Sequence, residues 1–243
     1  TANSAYGARL FKPHDKIAQG RYTQLDYIIE ELQRDPDSRR AVMHLRVPDD
    51  SIDAKLDVPC TLALQFFIRG GKLHQVANMR SSDVIFGIAY DIPAFTIFQE
   101  LIANELNVEV GTYTHTSNSL HIYERHFDMA EKIIRPGYVN DSLMLQQKNG
   151  PMPPLIGNVI AVQSKVSEIY EYEAQLQVCE SLQDVIGVYE SSQEFADTMF
   201  KDFATVLAAA RLRKLGYKQE ARKVSAQTDF AGYSFNVRRD LNV

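Results

Sequence analysis

The chain has 243 residues, 45% of them hydrophobic, and a formal net charge of −5. That length and apolar content can bury one sizeable core, as one domain or one domain plus an extension. The acidic balance argues against broad nucleic-acid binding by phosphate neutralisation, and no apolar run is long enough to span a bilayer.

The opening residues, Thr1-Ala2-Asn3-Ser4-Ala5, lack the charged and apolar segments of a secretory signal. A start on Thr rather than Met predicts that the natural beginning lies upstream. Residues 23–33 place Leu25, Ile28, Ile29 and Leu32 at helical spacing, and Asp35-Pro36-Asp37-Ser38 breaks that helix. Residues 41–47, 61–68 and 72–79 read as strands, the last two joined as a hairpin through Arg69-Gly70-Gly71. Residues 92–106 read as a helix with Asp91 placed to cap it, Pro93 in its first turn, and Phe95, Phe98, Leu101, Ile102 and Leu106 as its buried stripe. Residues 109–122 are strand-rich and 124–134 helical. Composition shifts at Arg135-Pro136-Gly137, and residues 148–154 read as loop. The remainder is mostly helix. Ser191 with Glu194 three residues on matches a capping box; Phe195, Met199, Phe203, Val206, Leu207 and Ala210 then share a face, and Gly216 is a stop. There is no internal repeat. The predicted class is α+β to about residue 135, followed by a mostly helical segment over 136–243.

Two cysteines, Cys60 and Cys179, make no disulfide framework at this size, which points to a reducing, cytoplasmic compartment. The spacing of His14, His44, His74, His115 and His126 fits no metal-ligand pattern, so no metal is expected. Another set of residues carries chemistry. Pro59-Cys60 is followed by Arg80-Ser81-Ser82-Asp83, Gly87, Asp91 and His121-Ile122-Tyr123, and preceded by Tyr6-Gly7 and Asp35-Pro36-Asp37-Ser38-Arg39-Arg40. A thiol, an arginine after an extended run, a carboxylate and a His/Tyr pair can assemble one nucleotide-sized site. Each also has a plainer reading: a buried Cys60, an Asp91 helix cap, a solvated Ser38-Arg39-Arg40 turn, a core pair of His121 and Tyr123, and a purely structural Gly87. Cys179, outside any motif, reads as packing.

This order and spacing resemble the thymidylate synthase superfamily over roughly residues 4–134. The resemblance implies a mixed β-sheet packed with helices. Residues 1–135 would form a catalytic core without the family's upstream segment, which supplies a phosphate-loop arginine and a relay glutamate. Residues 136–243 would be a helical extension of the same domain. The resemblance makes Cys60 the nucleophile that adds to C6 of a pyrimidine and turns C5 into a carbon nucleophile; guanidinium charge nearby favours a thiolate. Tyr6 becomes a further catalytic residue. Arg80 and Ser81 become phosphate ligands, a fork donor and a hydroxyl. Arg39 and Arg40 would reach the neighbouring subunit's phosphate, implying a homodimer with composite sites. His121 and Tyr123, two apart and so on one face of a strand, would hold the sugar hydroxyl. Asp83 and Gly87 would border the pterin of 5,10-methylenetetrahydrofolate, the implied co-substrate. Gln65 is an inward polar candidate near the base.

Asp91 directs the choice of base. Thymidylate synthases carry an Asn at the matching position, able to donate to the uracil O4. An ionised Asp only accepts, and cytosine presents a 4-amino donor there. Asp91 therefore resembles the deoxycytidylate and cytidylate 5-hydroxymethylases, as do Thr61 in place of the usual His and Met79 in place of the usual Gln. Tyr6-Gly7 continues as Ala8-Arg9-Leu10-Phe11, a departure from the usual Gln-Trp-Arg. The expected function is hydroxymethylation of CMP or dCMP, with water rather than hydride completing the reaction. Ser81 leans toward dCMP, whereas the long helical tail is similar in layout to CMP hydroxymethylases of nucleoside-antibiotic pathways. A thymidylate synthase acting on dUMP and a catalytically silent nucleotide-binding member remain the alternatives.

Overall fold

A computed structural model describes residues 5–11, 22–52, 57–135, 154–192, 195 and 198–228. Pro136-Gly137, residues 148–153 and Glu194 lie outside the described residues. The chain divides into two units, residues 1–130 and 131–243. The architecture is α+β, as the element pattern predicts.

The first unit runs α1 (Tyr6–Leu10), α2 (Gln24–Arg34), β1 (Val42–His44), β2 (Thr61–Arg69), β3 (Lys72–Met79), β4 (Ser82–Asp83), α3 (Gly87–Leu106), β5 (Glu109–Ser117) and β6 (Leu120–His121). The helix α4 (Phe127–Ile134) follows, beyond a short 3-10 turn at Glu124–His126. Thr23 and Asp26 form a reciprocal capping box that starts α2. The predicted strand over 41–47 shortens to Val42–His44, because Leu45 and Arg46 both donate to the Leu62 carbonyl and a 3-10 turn begins at Pro48.

The main sheet has the order β1-β2-β3-β5. β1, β2 and β3 pair antiparallel, and β5 pairs parallel to β3 after the crossover through α3. Gly70 and Gly71 have φ of +59° and +75°, the two left-handed residues that a tight hairpin loop requires. The β3–β5 register shifts between Leu73 and Gln75. A Cβ on Gly111 would lie 2.8 Å from both the His74 ring and the Leu73 carbonyl, so only glycine fits there. Gln99 of α3, itself buried, donates to the carbonyls of Leu73 (2.8 Å) and Thr112 (3.2 Å) across this irregularity. The buried side chains come from α2 (Leu25, Ile28, Leu32), the sheet (Met43, Leu64, Phe66, Leu73, Met79) and α3 (Phe95, Ile102).

One boundary matters for function. α3 starts at Gly87, not at residue 92, so Asp91 lies inside the helix and caps nothing. Asp83 explains the early start. Its carboxylate accepts from the backbone N–H groups of Ile85 (3.2 Å) and Phe86 (3.1 Å), turning the chain into the helix before Gly87. Pro93 then sits within the helix.

α1 is fastened by a buried ion pair. Arg9 Nη1 and Nη2 donate to the two Asp50 carboxylate oxygens at 2.6 and 2.7 Å, and Nη1 also donates to the Leu45 carbonyl at 2.7 Å. The Asp50 side chain is 1% exposed. Asp50→Ala would remove both carboxylate bonds from the mostly buried guanidinium. Urea denaturation is expected to register a loss of roughly 3–5 kcal/mol.

In the second unit, α5 (Val159–Val178), α6 (Leu182–Ser191), α7 (Thr198–Lys214) and α8 (Lys218–Ser225) surround a core of Tyr172, Leu176, Val185, Tyr189, Leu212 and Val224, with the small Ala204, Ala208 and Ala209. The capping box is at Ser181 and Asp184, opening α6. Ser191, expected to open a helix, is the last residue of α6 and donates to the Val188 carbonyl. The buried face of α7 is also rotated from the expected one. Met199 is buried, but Phe203, Val206 and Leu207 are only partly so and Ala210 is exposed. The buried positions are instead Phe200, Ala204, Thr205, Ala208, Ala209 and Leu212, with Met199 and Asp202. Gly216, at φ +94°, follows the end of α7. Cys179 is buried in the same core, where its thiol donates to the Gln175 carbonyl.

Candidate active site

The β2–β3 hairpin builds the centre of the site. Thr61 pairs with Met79, so Cys60 and Arg80, one residue beyond on each strand, come side by side. The Arg80 backbone N–H donates to the Cys60 carbonyl at 2.9 Å. The Arg80 guanidinium donates through Nε to the Pro59 carbonyl (2.9 Å) and through Nη2 to the Val58 carbonyl (3.0 Å), and Nη2 lies 3.8 Å from Cys60 Sγ. Two carbonyls thus fix a permanent positive charge beside the thiol. Cys60 is partly buried and free.

A cleft of about 300 Å³ opens above the hairpin end, lined by Tyr6, Cys60, Ser81, Ser82, Asp83, Phe86, Gly87, Tyr90, Asp91, His121 and Tyr123. Its size suits one nucleotide or a similar small molecule. α1 brings Tyr6, whose ring stacks on Phe95 at 5.8 Å. Burial raises the Tyr6 pKa, hydrogen bonding with Thr61 opposes this, and the charges of Asp91 and Cys60 raise it further. α3 brings Asp91, and burial pushes its carboxyl up to about 6. β4 and β6 pair in parallel, Ser82 beside Leu120 and Asp83 beside His121, which sets His121 next to Ser81 (Oγ to Nδ1, 3.4 Å). The His121 and Tyr123 rings meet edge to face at 4.8 Å. Burial opposes ionisation of Asp83, but the N–H groups of Ile85 and Phe86, and then His126 and His121, outweigh it and hold the carboxyl below its usual range. A Cβ on Gly87 would make only ordinary contacts, 3.4 Å from Asp83 Cβ, so no steric demand for glycine arises there.

Not every expected residue reaches this cleft. Gln65 lies on the opposite face of β2 from buried Leu64 and Phe66, and its amide donates to the Arg39 carbonyl at 3.3 Å. Strand alternation turns it away from the buried face, and it does not line the cleft. Arg39 and Arg40 line a separate hollow with Asp35, Asp37 and Ser38. Arg40 Nε donates to Glu31 at 2.8 Å while its side chain stays 67% exposed. Ser82, which the sequence shows only as part of a motif, and Phe86 and Tyr90, to which it gives no role, also line the cleft. Phe86 and Tyr90 are four apart at the start of α3, and a helix start placed at residue 92 hides that spacing. Two of the residues that set this sequence apart touch each other: the Thr61 hydroxyl donates to the Met79 sulfur at 3.2 Å. Among the described residues, no group of three or more His, Cys, Asp or Glu could hold a metal ion, and no helix is long and apolar enough to cross a membrane.

The fold and the cleft together define an α+β protein with a cysteine on the wall of a nucleotide-sized site and a fixed arginine that stands beside that cysteine without lining the cleft itself. The chain belongs to the thymidylate synthase family, whose model matches residues 1–177. Thymidylate synthases of Bacillus phage phi3T and Bacillus subtilis subsp. natto are each 33% identical over 128 residues, covering 53% of this chain and 46% of theirs. The thymidylate synthase of Bacillus atrophaeus is 32% identical over the same length, covering 56% of its own chain. The chain thus spans about half the length of the curated relatives it matches. A solved structure, thermostable thymidylate synthase A from Bacillus subtilis, aligns with a TM-score of 0.48 at 31% identity, over 56% of this chain and 49% of that one.

Proposed function

We propose that this chain is a cytidylate 5-hydroxymethylase acting on CMP or dCMP, with residues 1–135 as the catalytic part and residues 136–243 as a helical extension of the same domain. Asp91 carries the reading. It places a carboxyl, rather than an amide, in the cleft that holds Cys60. A carboxyl with a raised pKa matches the cytosine edge: its carbonyl accepts from the 4-amino group and its hydroxyl donates to N3. Arg80 and Ser81 are assigned to the phosphate and His121 and Tyr123 to the sugar. Asp83 and the exposed faces of Phe86 and Tyr90 offer a polar and aromatic rim suited to the flat pterin of 5,10-methylenetetrahydrofolate, which supplies the one-carbon unit.

Cys60 Sγ, as thiolate, bonds to C6, and the C5–C6 pair becomes available at C5. C5 bonds to the methylene carbon of methylenetetrahydrofolate; loss of the C5 proton then breaks that carbon's bond to the folate nitrogen, so that tetrahydrofolate leaves and an exocyclic methylene remains on the ring. A water oxygen then bonds to the new exocyclic carbon and releases a proton, and the electron pair returns through the ring to expel the thiolate. Tyr6, beside Thr61 and Asp91, is assigned to proton management at the ring. Arg39 and Arg40, off the cleft of their own chain, are assigned to the phosphate of a second subunit in a homodimer. The reading places the protein in the cytoplasm.

The names of the relatives favour a second reading, thymidylate synthase, in which dUMP gains a methyl group by hydride transfer. Tritium release from C5-labelled CMP, dCMP and dUMP with methylenetetrahydrofolate, with products weighed by mass spectrometry, separates the two. A 5-hydroxymethyl cytidylate formed without dihydrofolate is the expected result. A methylated uridylate with dihydrofolate would replace it by the second reading, and no release from any substrate would favour a silent nucleotide binder.

A further inference from the structure

The inner face of the sheet beneath the cleft is not wholly apolar. β3 and β5 run parallel with Gln75 beside Tyr113, Ala77 beside His115 and Met79 beside Ser117. Alternation places Gln75, Tyr113, His115 and Ser117 on one face, shared with buried Ala77 and Met79. The Tyr113 hydroxyl lies 2.8 Å from His115 Nδ1, and His115 Nε2 lies 3.3 Å from Ser82 Oγ. Ser82 is 2% exposed and lines the cleft. At the other end of this line Gln75 is fully buried, and among the described residues neither atom of its amide has a hydrogen-bond partner; the Ser117 hydroxyl is in the same position. Of these residues only Ser82 belongs to a motif that marks the cleft, Arg80-Ser81-Ser82-Asp83.

Buried amides with both donor and acceptor unmet by protein are characteristically completed by ordered water. The His115 imidazole is held between two hydroxyls, those of Tyr113 and Ser82, each able to donate or accept. Burial disfavours its charged form, so one ring nitrogen accepts while the other donates. The three groups therefore make a hydrogen-bonded line from the sheet interior to the cleft wall. We propose that Gln75, Tyr113, His115 and Ser82 form a water-holding seam that opens on the cleft at Ser82, and that His115 is a positioning residue which fixes the Ser82 hydroxyl so that it orients a water molecule beside Asp91. The use of that water rests on the hydroxymethylase reading, whose last step consumes one.

Two measurements on the full chain test this. A crystal structure at a resolution that shows ordered water is expected to place water within hydrogen-bonding distance of the Gln75 amide. A Gln75 amide paired by protein in a dry seam would overturn the proposal whatever the enzyme's activity. His115→Phe is then compared with the parent in tritium release from C5 and in hydroxymethyl product. In a single turnover, tritium release is expected to stay near the parent's, while the rate at which hydroxymethyl product appears falls about tenfold to a hundredfold. His115→Gln, which keeps a donor toward Ser82, recovers part of the loss. Equal losses in both readouts would reduce His115 to a structural role. If the parent itself releases no tritium, the proposed function fails and the seam stands or falls on the crystal structure.

Discussion

Cys60→Ser is expected to lower turnover at least about a thousandfold, with nucleotide affinity and thermal stability close to the parent's. The argument is local. Cys60 sits where the hairpin closes, its carbonyl bonded to the Arg80 backbone, and its sulfur faces a guanidinium already tied to the Pro59 and Val58 carbonyls. Serine keeps that backbone and nearly the same volume, but a hydroxyl beside one arginine is a far weaker nucleophile than a thiolate. The change therefore removes bond formation to C6 and little else. Steady-state kinetics with tritium release measures the first effect; isothermal titration with the nucleotide and a thermal melt measure the second. A serine variant that keeps the biological activity of the parent would sink the enzymatic reading and favour the silent binder.

The same hairpin explains what the sequence could and could not reveal. A separation of twenty residues between Cys60 and Arg80, with Gly70-Gly71 midway, is a closed two-strand ladder written in one dimension, so their neighbourhood was legible. His121 and Tyr123 were legible by period-two spacing, and their rings do meet. Helix termini were less so. Asp91 before Ile92-Pro93 has the chemistry of a cap, and only Asp83, eight residues earlier, decides that the helix has already begun. Gln65 fails for a different reason. Its strand was correctly placed, but which face looks inward depends on the neighbours, and buried Leu64 and Phe66 take that face. In the helical unit the larger apolar side chains of α7 suggest one face, while the buried face is the one that carries Ala204, Ala208, Ala209 and Leu212. The line through Tyr113 and His115 was readable in principle as alternation along one strand. Its meaning required Ser82 and Gln75, which the fold supplies from two other strands.

Asp91→Asn is expected to reverse base preference, moving the ratio of kcat/KM for cytidylate over uridylate at least about a hundredfold toward uridylate. An amide donates to O4 and accepts from N3–H of uracil, whereas a carboxyl carrying one proton complements the 4-amino group and N3 of cytosine. The pH dependence distinguishes this from a simple loss of shape. Burial raises the Asp91 pKa to about 6, above the usual aspartate value. The free parent therefore loses the proton that would bridge to N3 as pH rises through about 6, and its KM for cytidylate rises above that point. The asparagine variant has no such limb. Linkage gives an independent check on stability. Between about pH 4 and 6 the folded chain holds a proton that the unfolded chain has released, so this group's contribution falls as pH rises through that window. The melting temperature of Asp91→Asn relative to the parent should accordingly climb from pH 4 to pH 6.5 and then level off. A flat difference, with base preference unchanged, would mean that Asp91 neither titrates in the cleft nor reads the base. The choice of pyrimidine would then have to come from the linked pair Thr61 and Met79.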